Sequence, residues 1–205
     1  MTFSIVGVDP VAGSFGSAVA SYSVAAGGTV SYSRLGVGVI NTQHQAHLAL
    51  GNRVLDEMEK GAAPHEALSR VLALDGDADS RQLIAIDTTG RQGGWTGRNC
   101  ERERRHLFGS GCVVAGNHLA TEDVVREMIH AFETASGRLG DRLLRSLEAG
   151  ERAGGDRRGR KSAAVRVVPA RPAGIAINLD LRVDDHEEPI RELMRLKDSF
   201  DREFG

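Results

Sequence analysis

Aromatic side chains are scarce in this chain: Trp95 is the lone tryptophan, Tyr22 and Tyr32 are the two tyrosines, and only six phenylalanines accompany them. So thin a set offers no base-stacking platform. A formal net charge of -2 also lacks the basic excess expected of a nucleic-acid binder. Cysteine is equally rare. Cys100 and Cys112 stand too far apart for a CxxC redox or zinc motif and are too few for a disulfide framework, which fits a reducing cytoplasm. No apolar run approaches the ~18–20 residues of a membrane-spanning helix. The opening segment does not read as a signal peptide, because no basic residue precedes Arg34 and Asp9-Pro10 interrupts the apolar run at once. The expectation is a cytoplasmic protein with neither nucleic acid nor membrane as partner.

What is present is a chain of 205 residues, long enough for one well-buried domain spanning 1–205, with 40% apolar residues and charges of both signs. "TFSIVGVD" and "SFGSAVASY" read as strands joined by a turn at Pro10 and Gly13. "GTVSYSRLGVGVINT" supplies one or two more. The period then changes. Leu48, Val54, Leu55 and Met58 mark a helix ended by Gly61, and Pro64 opens a second with Ala67, Leu68, Val71 and Leu72 on its apolar face. Strands return in "RQLIAID", "GGWTG" and "GCVVAGN", whereas "RNCERERRHLFGSG" reads as an exposed loop. A second helix pair follows: Val124 to Phe132, with Thr121 as N-cap, then Leu139 to Leu147, ending near Gly150. "SAAVRVV" and "GIAINLDLRV" are further strands, and Ile190, Leu193, Met194, Leu196 and Phe200 give a C-terminal amphipathic helix at about 186–204.

Consecutive strands without strict βαβ alternation favour antiparallel sheets. The most economical α+β arrangement that buries every apolar stripe is a four-layer αββα sandwich, with two mainly antiparallel sheets between helix pairs.

Chemistry has several candidate seats. A chain starting Met-Thr can lose Met1, exposing Thr2 with a free α-amine as base and a hydroxyl as nucleophile. Arg34 follows the second hairpin, where it either binds a carboxylate or stays a surface charge. Gln43 and His44 stand just after "VGVINT", where a strand end presents them to a cleft. His44 and His47 are three apart, but no Cys/His cluster completes a zinc site, so no metal is expected. Asn117, ending "VVAGN", is either an oxyanion donor or a turn residue. Cys100 beside Arg98, Arg102 and Arg104, with His106 near, offers a rival thiol mechanism, set in a polar loop.

The stretch "GGDRRGRKSAAV" at 154–165 nearly spells a Walker A phosphate loop. Gly155 and Lys161-Ser162 have the right spacing, but Arg160 takes the place of the second glycine and a strand follows instead of a helix. The phosphate-loop reading fails.

"MTFSIVGVDPVAGSFGSAVAS", "LGVGVINTQ", "AGN" and "GGDRRGRKSAA", in this order, resemble a bacterial and archaeal family of unknown function in the N-terminal-nucleophile (Ntn) hydrolase-like superfamily, across roughly residues 1–168. The resemblance implies the αββα sandwich and amide cleavage by an N-terminal Thr, Ser or Cys without metal or organic cofactor. It also implies that the glycine-arginine loop is a site wall. There Gly154 and Gly155 permit unusual backbone angles, Asp156 orients an arginine, and Ser162 donates into the site. Two positions depart from the family pattern: Lys161 stands where Gln is common and Val8 where Arg is frequent.

Two readings follow. In the first, the chain is a cofactor-independent amidohydrolase acting on a small amide or peptide-like substrate. Thr2 is nucleophile and base, with Arg34, Asn117, Asp156 and Ser162 in catalytic support and Gln43, His44, Arg157 and Arg158 binding substrate. In the second, Met1 stays, and the fold is a non-catalytic binding or assembly scaffold. An anion-binding module built on Arg157, Arg158 and Arg160 is a third possibility. Self-association into a homo-oligomer is expected through the sandwich faces or the C-terminal helix.

Overall fold

A computed structural model describes residues 2–169, 171 and 178–204. Among these residues the chain is a mixed α+β protein with two antiparallel sheets and six α-helices. The larger sheet has the order β10-β9-β2-β1-β8-β7, formed by β1 (Thr2–Asp9), β2 (Ser14–Ser21), β7 (Arg105–Gly109), β8 (Cys112–Gly116), β9 (Ser162–Pro169) and β10 (Leu179–Val183). The smaller has the order β3-β4-β5-β6, from β3 (Ser31–Arg34), β4 (Gly38–His44), β5 (Arg81–Asp87) and β6 (Gln92–Thr96).

The helices divide between the sheets according to their apolar stripes. α2 (Leu48–Glu59) and α3 (Pro64–Leu72) bury Leu50, Val54, Leu55, Leu68 and Val71 against Ile40, Leu83 and Ala85 of the smaller sheet. α4 (Asp123–Thr134), α5 (Leu139–Arg152) and α6 (Pro189–Phe204) cover the larger one. Their Met128, Phe132, Leu143, Leu147 and Leu193 pack on Phe3, Ile5, Ala18, Val114 and Val165. A short α1 (Ala26–Thr29) lies against β2 and β9 through Val19, Ala26 and Ala164. Among the described residues no helix is long and apolar enough to cross a membrane.

Period-two alternation gives each strand two different faces. On β1, Phe3 and Ile5 meet the helices, whereas Ser4, Val6 and Val8 face the second sheet. The layer between the sheets changes character along the strands. At one end Val6, Val8, Phe15, Val39, Ile84, Ile86 and Val113 form an apolar core. At the other, Thr2, Ser4, Ser21, Gln43, Gln82 and Asn117 are all buried. That polar end holds the candidate site.

Several sequence expectations change in detail. The polar stretch at 98–111 contains a strand, β7, rather than an exposed loop. β7 is the edge of its sheet and only half-buried, so it carries charges that a central strand would not, and Cys100 just before it is buried. The N-cap of α4 is Glu122, because the Thr121 hydroxyl donates to the Ala153 carbonyl at 3.5 Å. Three helices, not a pair, cover the larger sheet. The expected strand beginning at residues 174–177 lies outside the described residues, as does Met1.

Candidate functional site

Thr2 opens β1, a central strand flanked by β2 and β8. Its register partner on β2 is Ser21, and the partner of Ser21 on β9 is Ser162, so three hydroxyl residues form one row on the inner face. The Thr2 and Ser21 hydroxyl oxygens are 3.1 Å apart. The Thr2 carbonyl accepts from the Asn117 backbone N–H at 3.2 Å and from Gln43 Nε2 at 3.4 Å.

Below Thr2 the buried amides bond to one another. Ser4 Oγ donates to Gln43 Oε1 at 2.7 Å, and Gln43 Nε2 donates to Gln82 Oε1 at 2.7 Å. Asn117 Nδ2 donates to that same Gln82 oxygen at 2.9 Å. Gln82 Nε2 in turn reaches the Gly116 carbonyl at 2.9 Å and Thr96 Oγ1 at 3.1 Å. Burying an amide unpaired costs ~2–7 kcal/mol, so this chain of bonds is what permits a polar end to an otherwise apolar layer. Two acceptors in the region stay unmatched: Asn117 Oδ1 and Asp156 Oδ2 are buried with no hydrogen-bond partner among the described residues.

The chain turns sharply just after two of these amides. His44, following Gln43, has φ 70°, and His118, following Asn117, has φ 52°. Both lie in the left-handed region that side chains with a Cβ avoid, a strain that only surrounding contacts sustain. The His118 imidazole is held below its ordinary pKa, first by burial and then by the positive charge of Arg158. His44 Nδ1 lies 2.8 Å from the Ser80 carbonyl.

The glycine-arginine loop arches over the start of β1. On one side it pairs with the chain continuing from β8: Ala120 N–H donates to the Gly155 carbonyl at 3.0 Å, Asp156 bridges to Leu119, and Arg157 N–H reaches the His118 carbonyl at 3.3 Å. On the other side Lys161 N–H donates to the Ser21 carbonyl at 2.8 Å. Gly154 (φ 114°) and Gly155 (φ 50°) make the turn into the arch, and a Cβ on Gly154 would sit 2.7 Å from the Ala120 side chain. Asp156 Oδ1 accepts from the Arg158 N–H at 2.7 Å, tightening the loop on itself.

Of the residues singled out from the sequence, Thr2, Gln43, Asn117 and the arch with Asp156, Arg157 and Arg158 therefore gather at one end of the two sheets. Ser162 is next to them, but its hydroxyl is engaged: it donates to the Ser23 carbonyl at 2.7 Å and accepts from Ala26 N–H at 3.1 Å, fastening the segment after β2. Arg34 is not brought in. It pairs with Gly38 at the start of β4, five residues or about 17 Å along the strand from Gln43. There it bonds Asp56 and Glu59, both at 2.8 Å, and the Asp56 bond raises its pKa. Arg160 leaves the arch for Glu151 at 3.2 Å. The thiols take no part. Burial raises the Cys100 pKa, with Sγ donating to the Arg81 carbonyl at 3.3 Å, and pushes Cys112 up to about 12. Among the described residues no group of three or more His, Cys, Asp and Glu could hold a metal ion.

Three residues of this end escaped the sequence reading, Ser21, Tyr22 and Gln82, and Lys161 was singled out only in the failed phosphate-loop match and as a departure from the family pattern. Gln82 had a signal, since it alternates with Ile84 and Ile86 and so shares their inward face.

The fold is that of a two-sheet protein with a cluster of buried, mutually bonded amides at the start of its first strand. The sequence matches the family of unknown function DUF1028 over residues 2–193. The chain belongs to that family. A crystal structure of a family member from Silicibacter pomeroyi superposes with a TM-score of 0.90 at 30% identity, over 97% of this chain and 88% of that one. Anbu, an ancestral beta-subunit from Yersinia bercovieri, matches at a TM-score of 0.43 and 11% identity, over 98% and 96% of the two chains. No curated protein matches the sequence.

Proposed function

We propose that the two sheets and their flanking helices are the αββα sandwich of the Ntn hydrolases, and that the protein is an amidohydrolase using Thr2 as its nucleophile. The observation that carries this reading is the position of Thr2. It begins a central strand, with its hydroxyl 3.1 Å from that of Ser21 and its start enclosed by the arch. Once Met1 is removed, the Thr2 hydroxyl adds to the carbonyl carbon of a small amide, and the α-amine takes the hydroxyl proton. That proton passes to the leaving nitrogen as the C–N bond breaks, leaving an ester on Thr2. Water then adds to the ester, giving a carboxylic acid and restoring the hydroxyl.

The unmatched acceptors Asn117 Oδ1 and Asp156 Oδ2 support the reading, because they suit donors such as an ammonium group nearby. In this reading Asp156 and Asn117 orient the reacting groups, and Gln43 positions Thr2 through its carbonyl. Arg34 has no role in it. The test is the intact mass of the protein purified from its own host, followed by exposure to an electrophilic β-lactone. Loss of Met1 and acylation of Thr2 are expected. Retained Met1, or an unmodified Thr2 in a protein that turns over no amide, would overturn it.

One observation favours a second reading, a binding or assembly scaffold: Thr2 is only 6% exposed. The same experiment separates the two, since a scaffold keeps Met1 and leaves Thr2 unmodified.

A further inference from the structure

The cations of the arch are not alike. Arg160 is matched by two carboxylates, Glu151 at 3.2 Å and Glu188 at 3.9 Å. Lys161, the next residue, has no ion pair among the described residues. Its Nζ lies 4.8 Å from the centroid of the Tyr22 ring. The Arg158 guanidinium carbon lies at the same distance, 4.8 Å, from that ring. The two charges are thus less than about 10 Å apart on one aromatic side chain. The one carboxylate that approaches Arg158 is Asp156, whose Oδ1 lies 3.8 Å from Nε, an ion pair too long for a hydrogen bond, and also accepts from the Arg158 backbone N–H. Arg157 adds a third positive charge, its Nη2 donating to the Leu119 carbonyl at 3.3 Å.

This excess is local, in a chain whose net charge is -2. Its field is felt at His118, whose pKa Arg158 helps to lower. It also borders the start of β1: Tyr22 follows Ser21, the register partner of Thr2, and Lys161 N–H bonds the Ser21 carbonyl. Among the described residues Asp156 is the one carboxylate paired with any of Arg157, Arg158 and Lys161, so positive charge is in excess at the ring, and an anion bound beside it relieves the repulsion.

We propose that Arg158 and Lys161, both in contact with Tyr22, form the receptor for a carboxylate, so that the molecule bound here is a small amide bearing a free carboxylate. Calling that molecule a substrate rests on the reading of Thr2 as nucleophile; the receptor itself does not.

The test is calorimetric titration with two isosteric probes, glutaramate and glutaramide, which differ only in one carboxylate replaced by a carboxamide. Glutaramate is expected to bind at least tenfold more tightly, with the advantage shrinking as sodium chloride is raised and the charges are screened. Arg158→Gln and Lys161→Gln should each reduce that advantage, and Arg158→Lys, which keeps the charge, should retain most of it. Both positions reach solvent, so the three variants are expected to fold, as a thermal melt checks. Equal binding of the two probes, no binding of either, or an advantage unchanged in both glutamine variants overturns the receptor. Labelling of Thr2 by a β-lactone in the same preparation separates the two ideas. If labelling fails while the preference stands, the nucleophile reading falls and the receptor survives; labelling without preference does the reverse.

Discussion

Asn117 Nδ2 donates to Gln82 Oε1 at 2.9 Å, joining the end of a strand in one sheet to the start of a strand in the other. Gln43 donates to the same oxygen, so Gln82 is the acceptor on which both neighbouring amides depend. Replacing it with leucine keeps the volume but strands two buried donors and the Gly116 carbonyl. Gln82→Leu is expected to lose about 2–4 kcal/mol, since each buried polar group left unpaired costs about 1–3 kcal/mol. Urea denaturation measures it. A loss under about 1 kcal/mol would mean that the amides find other partners.

Ser162→Ala discriminates a structural from a chemical role at that position. Its hydroxyl holds the Ser23 carbonyl and the Ala26 N–H, so its removal should cost about 1–2 kcal/mol. Hydrogen exchange at the Ala26 amide should quicken. Unchanged exchange at that amide would return the hydroxyl to the list of groups free for chemistry.

A pH-dependent contribution comes from Asp75, whose carboxylate bonds Arg81 Nε at 2.8 Å with both side chains nearly covered. The Arg81 bond holds the Asp75 pKa below the ordinary carboxylate value. A depressed pKa stabilises the folded state above the unfolded value and loses that effect as pH falls through the folded one. Asp75→Asn should therefore cost about 2–4 kcal/mol near neutrality, by leaving a buried arginine with the longer, solvent-exposed contact to Asp77 as its ion pair. The gap between variant and wild type should close as the pH drops below that of a normal aspartate. A gap constant with pH would show that charge has no part in the contact.

Both thiols should be silent in the native protein. Cys112 is fully buried with a pKa pushed to about 12, and Cys100 is shifted in the same direction by burial. Ellman's reagent at pH 8 is expected to titrate neither cysteine until denaturant is added, and then both. Rapid native labelling of Cys100 would revive a thiol mechanism.

Much of this architecture was legible from alternation and period. β1 and β2 read directly, because their inner and outer faces are both apolar over most of their length and a Pro-Gly turn separates them. β7 did not, since an edge strand that is only half-buried needs no apolar signature. The candidate site was legible where a residue type suggested its own chemistry, as with Thr2, Asn117 and the glycine-rich arch, which the fold brings to one end of the sheets. It was hidden where pairing alone confers the role. Nothing local in "SYS" marks Ser21 as the partner of Thr2, and nothing near Lys161 announces that its ammonium rests on Tyr22, far back along the chain. Arg34 shows the converse: a charge after a hairpin suggested a site, but strand register carried it to the far end.

The outer edge of β2 pairs with β9, Ser21 meeting Ser162 across about 140 intervening residues. On the ribosome, at about 5–20 residues per second, the first hairpin therefore waits roughly 7–30 s for the strand that caps it. Throughout that interval a row of unpaired backbone groups beside "SFGSAVAS" is open to any passing extended chain. Synthesis of this protein thus passes through a long aggregation-prone window, and its end coincides with delivery of the arch that encloses Thr2.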